Sequence, residues 1–167
     1  ARGDVGGGWD SEHMLLADVV ATTSAVTATR SRLAKVDALA DLLGRLSADE
    51  IATTVGLLTA SPRQGRLGIG WRTLMGRDDA HAETPTLTIG GVSTAFDALA
   101  TAAGAGSAAV RTRMLDDLAA AATPEEWDFL ARVIIGELRT GALEGVLLDA
   151  VARAADRGGD EVRRAAM

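Results

Sequence analysis

Two short bends hold the residue types best suited to gripping an anion: R-Q-G at residues 63–65 and R-T-G at residues 139–141. In each, a glycine allows backbone conformations closed to other residues and lets the main chain approach a ligand. Amides at the start of the following helix would face outward as an anion site, and an arginine fork beside them matches a phosphate or a sugar edge. Gly136 opens the second bend, which carries Arg139, Thr140 and Gly141; Arg63, Gly65, Arg66, Gly68 and Gly70 make up the first. A plainer account fits either bend taken singly: its glycines end one helix and start the next, with the arginine left in solvent. Recurrence of the pattern draws the two accounts level.

Two predicted helix starts add to the basic inventory. Arg30, Arg32 and Lys35 surround Ser31, while Arg111 and Arg113 follow Gly106 and Ser107. A cation near a helix N-terminus opposes the helix dipole by some tenths of a kcal/mol, roughly, so its placement there suggests an anionic partner. An ordinary solvated face is the competing explanation. Between Ser61 and Arg77, four arginines occur with no acidic residue among them.

Covalent and metal chemistry has little to work with. Cysteine is absent, which excludes thiolate catalysis, disulfides and thiolate-bound zinc. Of the two histidines, His13 lies in the glycine-rich leader and His81 is alone in a polar linker, so neither a histidine triad nor a histidine metal cluster can be built. Lys35-Val-Asp-Ala38 echoes the K-x-D-G signature of nucleotidyltransferases, whose lysine takes a covalent nucleotide. Ala38 replaces the glycine, however, and Val36 and Leu39 set the segment inside an amphipathic helix, so the match is rejected. The glycines of Gly65-Arg-Leu-Gly68-Ile-Gly70 are in the wrong order for a dinucleotide fingerprint and follow a helix, and no G-K-[ST] phosphate loop exists. The pairs Asp116-Asp117 and Glu125-Glu126 read as structural. No catalytic or metal site is assigned.

The elements that must position these residues are helical nearly throughout. Leu33, Val36, Leu39, Ala40, Leu43 and Leu46 follow helix spacing, as do Trp127, Leu130, Val133 and Ile134, and then Leu143, Val146, Leu147, Ala150 and Val151. Ser47-Ala-Asp-Glu50 and Thr123-Pro-Glu-Glu126 both fit a capping box. Gly104 is expected to end one helix and Ser107 to cap the next, while residues 77–90, with Pro85 and Gly90, read as an extended linker. Trp127 and Phe129 are expected in the core; Trp71 is assigned to neither core nor surface.

The two capping boxes lie 76 residues apart, and that shift also aligns Ser31 with Ser107, Lys35 with Arg111, Arg63 with Arg139 and Gly65 with Gly141. An internal duplication over residues 15–76 and 91–152 follows. The expected architecture is all-α, a compact multi-helix domain over residues 14–167 built from two pseudo-twofold-related halves. Duplex DNA has a local dyad of its own, so paired loops on such a body could each hold one strand.

The charge balance does not advertise a polyanionic partner. Formal net charge is −6, of which the leader ARGDVGGGWDSEH carries −2. Lys35 is the single lysine against sixteen arginines, a bias that a GC-rich genome also explains. Residues 1–13 read as an appended remnant or disordered arm, with Met14 as the natural start. No apolar run approaches the about 18–20 residues of a membrane span. A soluble intracellular protein is expected.

Taken in order, SRLAKVDALADLL, LTASPRQGRLGIGW, GVSTAFDALA, GAGSAAVRTRML and FLARVIIGELRTGALEGVLLDAVARA resemble the N-terminal DNA-binding domain of ATP-dependent DNA ligases, in particular the actinobacterial type. The resemblance covers residues 14–167 and is most specific over 129–152. It implies an all-helical module that binds nicked double-stranded DNA across the minor groove through backbone contacts. Arg139, Thr140 and Gly141 match the family's DNA-contacting turn, Gly136 opens it, and Gly106, Ser107 and Arg111 match a helix start that meets phosphates. The segment from Arg63 to Gly70 matches the symmetry mate, and Arg30, Arg32 and Lys35 match less firmly. Ala-Ala-Val precedes Arg111 where some relatives carry lysines. The resemblance further implies a catalytic core in the same polypeptide, using ATP and a divalent metal (Mg), none of it in this chain. It also implies a monomer in the bacterial cytoplasm, nucleoid-associated. The closing segment RGGDEVRRAAM reads as the start of another turn, as in a cut piece of a longer protein. A helical protein–protein module without DNA binding is the alternative reading.

Overall fold

The computed structural model describes residues 13–75, 77, 80–138 and 141–156. Eight α-helices occur among them: α1 (Leu16–Ala28), α2 (Arg32–Gly44), α3 (Ala48–Leu58), α4 (Trp71–Met75), α5 (Ile89–Thr101), α6 (Ser107–Ala121), α7 (Pro124–Ile135) and α8 (Gly141–Asp156). No strand forms among the described residues; one isolated antiparallel bridge joins Leu15 to Thr88. The all-α expectation therefore holds. No helix of the described residues is long and apolar enough to cross a membrane.

The local signals explain most helix boundaries. Ser31 accepts from the Ala34 amide at 3.2 Å and caps α2. Thr123 caps α7 by accepting from the Glu126 amide at 3.3 Å, while the Glu126 carboxylate takes the Thr123 amide at 2.8 Å. Glu50 does the same for Ser47 at 3.1 Å, and its other oxygen takes the Met14 amide at 2.8 Å. Both glutamates are buried, which such charge-assisted bonds make tolerable. Glu126 Oε1 has no hydrogen-bond partner among the described residues.

Three local expectations are corrected. Ser107 is the first residue of α6 rather than its cap; the cap is Gly106, with φ +81°, at the end of a turn that also holds Gly104 in the left-handed region. Helix α5 begins at Ile89, so Ile89 and Gly90 are helical and not linker. Thr88 supplies the reason, accepting from the Gly91 amide at 3.0 Å. Leu33 is 59 % exposed despite its helical spacing, since it lies in the first turn of α2, beyond the packed part of the core.

The core is a single cluster drawn from all eight helices, including Leu16, Leu39, Leu42, Leu57, Phe96, Leu115, Leu130 and Val146. Trp127 and Phe129 are buried in it as expected. α1 packs on α2 and α3, and α5 on α6; across the chain, α1 meets α7, α3 meets α5 and α2 meets α8. The lead-ins to α1 and α5 are zipped together: the Leu16 amide donates to the Leu87 carbonyl at 2.8 Å and the Ile89 amide to the Met14 carbonyl at 2.9 Å.

Candidate nucleic-acid interface

The C-terminal ends of α3 and α7 determine where the bends point. After α3 the chain turns through Ala60, a non-glycine residue at φ +50°; after α7 it turns through Gly136 at φ +72°. These two positions are 76 apart. Beyond Ala60, the backbone folds back so tightly on Gly56 that a Cβ there would lie 2.9 Å from the Ser61 carbonyl oxygen. Gly65 and Gly68 then take φ +77° and +66°, turning the segment outward again before Leu67 and Leu74 anchor it in the core.

The first bend and the residues that lead into the second share one surface. Residues Ala60–Ser61–Pro62, Gly65–Arg66–Leu67–Gly68–Ile69 and Trp71 line an open cleft of about 760 Å³ with Val133 to Glu137 of the second bend. Gly65, Gly68 and Gly136 thus lie in one cleft, not on opposite faces. Arg139 and Thr140 lie outside the described residues, and Gly141 opens α8. Glu137 contributes an exposed carboxylate to the cleft wall, and the wall from Gly65 to Gly68 carries no acidic residue.

Among the expected basic residues, the structure separates those already engaged from those left open. Arg63 Nη2 donates to both Asp97 oxygens at 3.0 and 2.9 Å and to Ser93 Oγ at 2.9 Å; Gln64 reaches the same carboxylate at 2.8 Å. Both partners of this pair are about half exposed, so the guanidinium is committed without being buried. Arg32 pairs with Asp149 at 2.7 Å because α8 packs against α2. Arg111 donates to the Gly68 carbonyl at 3.2 Å and the Leu99 carbonyl at 3.4 Å, clasping the first bend and the end of α5 to α6. A Cβ at Gly68 would sit 3.2 Å from that guanidinium, which is a second reason for glycine there. Of the cations at the two helix starts, Arg32 thus meets an exposed carboxylate and Arg111 two backbone carbonyls.

Arg30, Lys35, Arg66 and Arg113 make no ion pair among the described residues; Lys35 is half-buried and the others are exposed. Gly70, exposed, leads into α4, and Gly106 and Ser107 begin α6. Two features escaped the sequence reading. Asp97, the acceptor for Arg63, is distant in sequence and gave no signal. Trp71 stands 51 % exposed on the cleft wall; its position between Arg66 and Arg72 was the available clue.

Residues 75–152 match the family described as DNA ligase N terminus. The chain is 58% identical over 154 residues to a "Probable DNA ligase" of Pseudarthrobacter chlorophenolicus, covering 92% of this chain and 30% of that protein. A "Probable DNA ligase" of Saccharopolyspora erythraea is 50% identical over 154 residues, and one of Anaeromyxobacter dehalogenans 51% identical over 158, again with 92% of this chain covered. The chain spans about 30% of the length of these relatives, 30% and 31% for the last two. These matches support an N-terminal domain of an ATP-dependent DNA ligase.

Proposed function

We propose that this domain is a non-catalytic grip for nicked duplex DNA. It would lie across the minor groove, with its two bends against the two strands, and hold the nick for sealing by a catalytic core elsewhere in the same polypeptide. The observation that carries this reading is the shared cleft, which brings glycine-rich backbone from both bends to one side with Arg66 unpaired beside it. The cross-contacts of α1 with α7 and of α3 with α5 exchange the halves, which supports a pseudo-twofold arrangement matched to the local dyad of the duplex. Arg30, Lys35, Arg66 and Arg113, with Arg139 and Thr140, supply the charge; Arg32, Arg63 and Arg111 hold the scaffold that presents it. Phosphate contacts of this sort orient a protein without reading sequence.

ATP and a divalent metal, implied for a whole ligase of this type, do not fit the residues described here. No group of three His, Asp or Glu among them is placed to hold a metal. Lys35 lies on α2 with Ala38 three residues on, within a continuous helix. No chemical step is therefore assigned to this domain.

The deciding measurement is a salt titration of binding to a nicked duplex of about 25 base pairs. About five phosphate contacts would give a slope near −0.9 each in log K against log salt. Binding that is absent at low salt, or independent of salt, would favour the protein–protein alternative.

A further inference from the structure

Helix α4 presents an apolar strip that its own fold does not use. Leu74 is its anchor, 3 % exposed, whereas Trp71 and Met75, one turn apart, are 51 % and 45 % exposed. Adjacent large apolar side chains left in water offer a contact surface when other recognition features adjoin them. The surroundings identify what it would contact. Trp71 lines the cleft with Arg66, Gly65 and Gly68. Arg72 is its neighbour in sequence, and neither Arg66 nor Arg72 is ion-paired among the described residues. An aromatic face bracketed by open cations suits a nucleic-acid strand, whose sugars and bases are apolar and whose phosphates are not.

We infer that Trp71 is a DNA contact, laying its indole on the deoxyribose edges of one strand within the minor groove while Arg66 and Arg72 neutralise the flanking phosphates. This rests on the duplex-binding reading and adds to it an apolar contribution that salt does not screen. Removing the indole should therefore weaken binding without changing how binding responds to salt. Removing either arginine should do the reverse, flattening the slope.

Tryptophan fluorescence makes the test direct. Trp127 is buried, and Trp9, outside the described residues, is replaced in a Trp9→Phe background, so a change in emission on adding nicked duplex reports on Trp71. The expected result is a quench or shift on binding, about tenfold weaker affinity for Trp71→Ala, and a smaller loss for Trp71→Phe. The salt slope of both should match the parent, while Arg66→Ala flattens it by about 0.9. Unchanged emission together with parental affinity in Trp71→Ala, its fold verified by circular dichroism, would remove Trp71 from the interface while leaving duplex binding intact. Failure of the parent chain to bind any duplex would overturn the broader reading and this one with it.

Discussion

The two halves carry the same Arg-x-Gly sequence but differ in the residues that stand opposite it. In the first, Arg63 and Gln64 reach across to Asp97 and Ser93 on α5, tethering the bend to a neighbouring helix. Counting 76 residues back from Asp97 and Ser93 arrives at Ala21 and Ala17 on α1. The sequence therefore repeats the arginine at Arg139 but not the acidic residue at the position matching Asp97. Elsewhere the halves agree: Arg77 and Arg153, also 76 apart, each meet an aspartate, Asp116 on α6 and Asp37 on α2 respectively. A repeated motif can thus keep its arginine in both copies while the carboxylate that matches Asp97 occurs for only one.

The comparison can be broken most forcefully at the two buried glutamates. Glu50 satisfies two amides and Glu126 one, with its second oxygen unpartnered. Glu50→Ala should cost about 3 kcal/mol of stability and Glu126→Ala nearer about 2 in urea unfolding, from the worth of hydrogen bonds to charged groups. Equal losses would mean the second oxygen of Glu126 is as well satisfied as that of Glu50.

A smaller effect distinguishes the arginines. Arg139→Ala should weaken binding to nicked duplex by about tenfold at low salt and flatten the salt slope by about 0.9. Arg63→Ala should leave the slope at its parental value, and a double-mutant cycle with Asp97→Ala should show a coupling in stability of about 0.5 kcal/mol, as expected for an exposed pair. Should Asp97→Ala tighten DNA binding while Arg63→Ala flattens the slope, the tether is instead a competitor for phosphate.

The smallest contrast lies in the backbone. Ala60 adopts the left-handed conformation that Gly136 adopts at the matching position. Ala60→Gly should stabilise the domain by about 0.5–1 kcal/mol, and Gly136→Ala should destabilise it by a similar amount, read as opposite shifts in melting temperature. A destabilised Ala60→Gly would show that packing of its methyl outweighs the strain.

Fold class was legible because helix spacing and capping chemistry are local. Ser31, Ser47 and Thr123 cap as their sequences indicate, and the buried stripe of α7 follows from Trp127, Leu130 and Val133. The site was only half legible. Glycines in the bends announced unusual backbone, and Gly65, Gly68 and Gly136 do take positive φ. Which arginines stay open was not readable, because their partners lie far along the chain: Asp149 for Arg32, Asp97 for Arg63, and the carbonyls of Gly68 and Leu99 for Arg111. Pairing of that kind follows from helix packing, to which local pattern is blind.

The zipped lead-ins of α1 and α5 have a consequence for the stretch between the halves. Glu83, Thr84, Pro85 and Thr86 are exposed, while Leu87 and Thr88 are held to Met14, Leu15 and Leu16. The spacing of α1 and α5 is accordingly fixed by interlocked interiors and not by tether length. Residues 83–86 can therefore lengthen, shorten or change in composition while the helices on either side keep their spacing.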